Sequence, residues 1–368
     1  MTRILPALRG PRRTILFGAV LTVLAIGGTF LLDPYRNYQL ATVAAAFCTV
    51  AGLTLLIGQS GQLSLGHAAL MASGGYGYAL TANALTAVGL DGVVRFGLAL
   101  IAGVAVAGVL GILLGLAGAR LRGPYLAGVT LALVVAVPAV ASVLSPVLRG
   151  DQGVQIPYDV VPEPLRALIA LEQWQAWVAV IVAGVVVTAL AVVRGGGLGL
   201  RMRAVRDDDT AARLSGISSA RTKIAAFTVS ALAAGAGGWV LCFVTQSVSP
   251  GAYTLAFSLL LVVAAVLGGL GSIGGAAIGS ALIVLLPWVI GTITSALPLP
   301  TDLAQRLAGD LPILVFGALL ILTMIVRPGG LASLRLPRRG RRPDSRSTSP
   351  TPPTVDPDRE PVLQSHTP

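Results

Sequence analysis

The chain has 368 residues, of which 55% are hydrophobic and only 11% charged, with 45 glycines and a mean hydropathy of +0.83. That mixture excludes a soluble globule with a polar shell and places the chain among integral membrane proteins. The formal charge of +11 gathers in short loops and near the C-terminal end, so it reads as cytoplasmic retention and attraction to membrane lipid, with no base-reading module that would suggest nucleic acid.

A helix crosses the hydrocarbon core with roughly 20 apolar residues and must satisfy its own backbone hydrogen bonds there. After a basic N-terminus at 1–13, about ten such runs follow, the eighth of them short for a crossing. They are Thr14–Leu32, Tyr38–Ile57, Ala68–Thr86, Val93–Ala119 and Pro124–Leu144, then Trp174–Val193, Ile224–Val244, Leu255–Gly269, Gly275–Gly291 and Leu311–Val326. The expected fold is an all-α polytopic membrane protein with a transmembrane body over 14–336. The first run is longer than a signal core and has no clear small-residue cleavage site after it, so it is expected to stay as a span. From Pro337 the composition turns to Arg, Pro, Ser and Thr, and 337–368 is expected to be a disordered cytoplasmic tail.

Lys and Arg are retained on the cytoplasmic side of a membrane, whereas Asp and Glu contribute little. With ten spans and the N-terminus inside, only Arg36, Arg95, Arg149, Arg166 and Arg306 of the 26 basic residues fall outside. Both termini are therefore expected in the cytoplasm.

Several chemistries are absent. No G-x-x-x-x-G-K-[ST] loop occurs, and the single lysine, Lys223, stands at the mouth of a span, so the chain does not hydrolyse ATP by itself. The spans carry no deep Asp or Glu, the usual mark of a proton or ion path. His67 and His366 are the only histidines, too few for a histidine metal cluster. Cys48 and Cys242 lie inside apolar spans and read as packing residues. No catalytic residue, cofactor or metal is expected, and energy for active transport would have to come from a partner.

Four polar or glycine-rich stretches remain, in chain order. In GQSGQLSLGH, Gly58, Gly61 and Gly66 interrupt an apolar pattern and bring Gln59, Ser60, Gln62, Ser64 and His67 close to membrane depth. Non-helical backbone at that depth is tolerated when buried in protein or lining an aqueous cavity, which makes these five residues candidates for a translocation path. The alternatives are a plain cytoplasmic turn and a core histidine. The external stretch Ser145–Gln173, with Asp151, Asp159, Glu163 and Glu172, is either a docking surface for a soluble protein or a cap over the outer mouth.

The third stretch is the island RMRAVRDDDTAARLSGISSARTK, Arg201–Lys223. Asp207 can cap a short helix there, Asp208 and Asp209 favour its positive end, Asp209 and Arg213 form an i,i+4 pair, and Gly216 ends it. Ala211, Ala212 and Leu214 give a small apolar edge fit for a groove on a soluble partner, while the plainer reading is a solvated loop that only fixes orientation. Fourth, Ser272-Ile273-Gly274-Gly275-Ala276-Ala277-Ile278 aligns with Ser64–Leu70, each at the start of a span running outward. Paired glycine-interrupted segments point to a parallel internal repeat around a central site and add Ser272, Gly274 and Gly275 to the path candidates. Small residues for close helix packing are the alternative.

The run from Arg201 to Gly238, together with GQSGQLSLGHAAL at Gly58–Leu70, LRGPYLAGVTLAL at Leu121–Leu133, VLGGLGSIGGAAIGSALIVLLP at Val266–Pro287 and IVRPGGL at Ile325–Leu331, resembles permeases of the branched-chain amino-acid ABC-transporter family, the LivM-type inner-membrane subunit. The resemblance implies a permease domain over 14–336 in a bacterial cytoplasmic membrane, working with two ABC ATPase subunits that bind the ATP, a homologous second permease and an extracytoplasmic solute-binding protein. It implies that Asp207 to Ile217 is the coupling segment, with Ala211, Ala212 and Gly216 at its core and Arg206, Asp208, Asp209 and Leu214 beside them. One departure is Thr210, which stands where the family commonly has an acidic residue. The solute expected is a branched-chain or similar hydrophobic amino acid. Urea, short amides or other amino acids are alternatives, and a passive channel or membrane scaffold is the reading from another class.

Overall fold

Asp33 followed by Pro34 is a helix start written in two residues, because the proline has no N–H to lose at the first position and the aspartate accepts from the Arg36 N–H at 3.2 Å. The computed structural model describes residues 11–121, 123–157, 161–162, 165–296, 301–326 and 330–331. Its first five helices are α1 (Pro11–Thr29), α2 (Pro34–Ser60), α3 (His67–Ala87), α4 (Gly92–Arg120) and α5 (Pro124–Val143). A short α6 (Ser145–Leu148) and strand β1 (Val154–Gln155) precede α7 (Leu171–Gly195), α8 (Gly197–Asp207), α9 (Asp209–Leu214) and α10 (Ser219–Thr245). Strand β2 (Ser247–Val248), α11 (Leu255–Gly268), α12 (Ile273–Ala296) and α13 (Thr301–Val326) complete the order.

The chain is thus an all-α polytopic membrane protein, with one small strand pair among the described residues. Among the described residues, eight helices are long and apolar enough to cross a membrane, where about ten were expected. The two that differ do so for separate reasons. Helix α3 is long enough but carries Gly74, Gly75, Tyr76, Gly77 and Tyr78 and is buried along most of its length, so it faces protein and has no need of a lipid-facing apolar surface. Helix α13 starts at Thr301, ten residues before the expected Leu311, and only Leu311–Val326 of it is strongly apolar. The N-terminal segment 1–10 and the tail 337–368 lie outside the described residues.

Helices α10 and α2 form the centre, with 78% and 72% of their most apolar stretches buried, against 6% for α1 at the rim. Small residues make this centre possible. Across the α3–α10 contact, a Cβ added at Gly74 would sit 2.2 Å from the Gly235 carbonyl oxygen, and one at Gly238 would sit 1.7 Å from that of Met71. Backbones therefore touch directly, the arrangement membrane helices use when dispersion must replace the hydrophobic effect. Trp239 anchors the same region, edge-on to Tyr78 and Phe96 and stacked with Phe243.

The connections sort into two ends. At one end lie the α2–α3, α4–α5 and α11–α12 turns together with α8 and α9: an added Cβ at Gly118 would meet the Gln62 side chain at 2.9 Å, and one at Gly58 would meet Gly271 at 2.3 Å. At the other end β1 pairs antiparallel with β2, Val154 opposite Val248 and Gln155 opposite Ser247, and Asn83 donates to the Gln155 carbonyl at 2.9 Å. That strand pair ties part of the stretch 145–173, expected to be external, to the α10–α11 connection. Asp159 and Glu163 of the stretch lie outside the described residues.

Candidate functional site

The island holds the end of α8, all of α9 and the first turn of α10, with a one-residue elbow between α8 and α9. Helix α8 ends at Asp207, and Asp208, in extended conformation (φ −154°, ψ 108°), turns the chain and caps α9 by accepting from the Thr210 N–H at 2.8 Å and the Ala211 N–H at 3.0 Å. The capping residue is thus Asp208 and not the expected Asp207, which finishes the preceding helix. Capping requires a non-helical backbone at the cap, and only Asp208 has it. The expected i,i+4 pair is present, Arg213 Nη2 to Asp209 Oδ2 at 2.6 Å, and the same carboxylate lies 3.7 Å from Lys223 Nζ on α10.

Helix α9 stops as Gly216 suggested. The glycine adopts φ +79°, its N–H donates to the Arg213 carbonyl at 2.9 Å, and the Ile217 N–H reaches back to the Ala212 carbonyl at 3.0 Å. Those two bonds form a Schellman motif, which satisfies terminal carbonyls and needs a left-handed residue at this point. Thr210, Ala211, Arg213 and Leu214 face outward, and Leu214 is 86% exposed. Ala212 turns inward and is buried, so the expected apolar edge consists of Ala211 and Leu214 without it.

The surroundings of Asp209 shift its titration. Burial pushes its carboxyl up, but the Ser219 hydroxyl, Arg213 and Lys223 outweigh that and hold it below the ordinary value of 3.8. It stays ionised at neutral pH and binds α9 to the start of α10.

The glycine-rich turn lies directly behind this elbow. Helix α2 ends at Ser60 with Gly61 in the left-handed region (φ 68°), its N–H bonded to the Ile57 carbonyl at 3.0 Å. Gln59 accepts from Arg203 Nη1 at 2.7 Å, the Gln62 amide donates to Ser60 Oγ at 2.9 Å, and Ser60 Oγ donates to the Leu56 carbonyl at 2.7 Å. His67 is fully buried with Nδ1 3.0 Å from Ser64 Oγ and Nε2 2.7 Å from Ser230 Oγ on α10. The intervening backbone is held from two further helices: Thr130 Oγ1 of α5 accepts from the Leu65 N–H at 2.9 Å, and Ser258 Oγ of α11 donates to the Leu65 carbonyl at 2.5 Å.

Gln59, Ser60, Gln62, Ser64 and His67 are therefore brought together as a buried polar knot that joins α2, α3, α5, α10 and α11. Ser272, Gly274 and Gly275 stand across from it, where Gly271 abuts Gly58; Ser272 is half-buried, Gly274 exposed and Gly275 buried. Sequence reasoning did not single out Arg203, Thr130, Ser230 or Ser258. The three hydroxyl residues are isolated in apolar spans, and the His67–Ser230 link spans 163 positions, so no local pattern marks them. Arg203 and Arg206 could have been paired by their i,i+3 spacing, which puts both on one face of a helix. Arg206, expected beside the docking helix, turns back and donates from Nη1 to the Gly58 carbonyl.

A family model described as the branched-chain amino acid transport system permease component matches residues 38–324. The chain is 28% identical, over an alignment 368 positions long, to the high-affinity branched-chain amino acid transport system permease protein LivM of Escherichia coli K12, covering 91% of this chain and 79% of that one. To the LivM protein of Salmonella typhimurium LT2 it is 29% identical over 366 residues with the same coverage. No solved structure matches it significantly.

Proposed function

The chain belongs to the branched-chain amino acid transport permease family, whose members are membrane transport subunits and not enzymes, and on that premise we propose that it is the permease half of an ABC importer whose motor grips α9. The observation that carries this reading is the pairing of a short helix fastened at both ends with an outward apolar edge, Ala211 and Leu214, on the end of the molecule that the basic residues assign to the cytoplasm. An exposed leucine on a rigid, charged elbow has no packing role inside the chain. A groove on a soluble subunit would bury it.

The solute is a branched-chain or similar hydrophobic amino acid, as the names of the relatives suggest. Two ATPase subunits bind and hydrolyse the ATP, a homologous permease supplies the other half of the path, and a solute-binding protein delivers cargo at the end where β1 and β2 pair. The membrane is the bacterial cytoplasmic membrane. In this mechanism, closure of the motor pulls α9, the helix bundle rocks, and the knot around Gln59, Ser60, Gln62, Ser64 and His67 with the facing Ser272, Gly274 and Gly275 changes the side to which the path opens. Most selectivity resides in the binding protein.

Leu214→Asp tests the reading because an exposed position tolerates the change in the isolated chain. Truncation of an interface anchor costs roughly 2 kcal/mol, so ATPase retention is expected to fall about 30-fold and uptake with it, at unchanged membrane insertion. Retention and uptake equal to the parent chain would remove α9 as the docking helix.

A further inference from the structure

We propose that Arg203 and Arg206 of α8 are the strut that carries movement of α9 into the seam between the two glycine-interrupted turns, a positioning role distinct from docking. The inference rests on α9 being the motor contact, and its test separates the two.

The last turn of any helix leaves carbonyls without intrahelical partners and a partial negative charge. At the end of α2 one of those carbonyls is that of Gly58, and the Arg206 guanidinium fills it through Nη1. Arg203, one turn earlier on the same face, donates from Nη1 to Gln59 Oε1 at 2.7 Å and to the Arg194 carbonyl at 3.2 Å, so it clamps the end of α2 to the end of α7. The Arg206 stem lies against Gly61, where an added Cβ would meet its Cγ at 2.8 Å. On the far side of the same two residues, a Cβ at Gly58 would fall 2.3 Å from Gly271 N, and one at Gly271 would fall 3.1 Å from Gln59 Nε2.

Guanidinium, helix end and opposite turn are therefore stacked in direct contact. Only Asp208 separates α8 from α9; its N–H bonds back to the Ala204 carbonyl of α8 at 3.1 Å while its carboxylate bonds forward into α9, so the elbow ties the two helices together. A pull on α9 draws α8, and its two arginines draw the C-terminus of α2. Gly271 must follow or open a gap. Beyond Gly61 the chain runs straight into the knot held by Thr130, Ser230 and Ser258, so the displacement arrives at the proposed path.

The experiment compares Arg203→Ala, Arg206→Ala, Arg206→Lys and Gln59→Ala in the full complex reconstituted in liposomes, reading membrane insertion, ATPase retention, ATP hydrolysis and solute moved per ATP. A strut predicts that both alanine variants keep the motor bound and hydrolysing while solute moved per ATP drops about tenfold, the scale of one lost charge-assisted hydrogen bond. Arg206→Lys, which can still donate to the Gly58 carbonyl, restores most of it. The losses of Arg203→Ala and Gln59→Ala should combine to less than their sum in the double variant, since the two share one contact. Unchanged transport per ATP overturns the strut, as does a loss that tracks lost insertion in every variant or an additive double variant. Loss of ATPase retention in Arg203→Ala and Arg206→Ala equally overturns it and makes them docking residues, whereas full retention in Leu214→Asp sinks the docking helix itself.

Discussion

Asp208 and Asp209 are adjacent and chemically alike, yet the backbone gives them unrelated tasks. Asp208 sits in extended conformation and spends its carboxylate on two N–H groups of α9, whereas Asp209 is already helical and spends its own on Arg213 and Lys223. Removing the cap by Asp208→Ala should cost about 1 kcal/mol of local helix stability, seen as faster backbone amide exchange confined to 209–217. Equal exchange in the two proteins would show that the Schellman end and the ion pairs suffice. For Asp209 the sign follows from its lowered pKa: the stabilisation is fully present above the ordinary 3.8 and is lost only as pH falls through the lower folded value. ATPase retention should therefore be flat from about pH 5 to 8, and a fall within that range would assign the attachment to another group.

At the scale of elements, backbone contact between helices decides what can change. Gly238→Ala would drive a methyl into the Met71 carbonyl, backbone against backbone, while Gly28 on α1 has nothing within 4 Å. Melting in detergent should show Gly238→Ala destabilised by about 3 kcal/mol or failing to accumulate, and Gly28→Ala unchanged or slightly stabilised by its better helix propensity. Equal melting of the two would refute the close packing of α3 on α10. This is also where sequence and structure part. Apolar runs announced most spans because lipid imposes a length and a composition, and Gly216 announced the end of α9 because only a left-handed residue completes that motif. The cap shifted by one residue, from Asp207 to Asp208, since either could serve until the end of α8 was known. Helix α3 was readable as a helix but not as a buried one, and the knot was readable in its own residues, Gln59 to His67, but not in its partners: His67 finds Ser230 on a helix 163 residues away, a partnership fixed by packing alone.

On the scale of the whole molecule, loops assigned to the cytoplasm by their arginines converge on one end, and the strand pair β1–β2 closes the other. The central claim is that α9 faces the cytoplasm and is covered by an ATPase. Cys48 and Cys242 are fully buried, so Leu214→Cys, at a position 86% exposed, would place a single reactive thiol on the docking edge. Labelling by a membrane-impermeant maleimide, in inside-out and right-side-out vesicles with and without the ATPase subunits, reads both parts of the claim at once. The account predicts labelling in inside-out vesicles alone and protection when the ATPase is bound. Labelling from the outer face, or labelling indifferent to the ATPase, would contradict it.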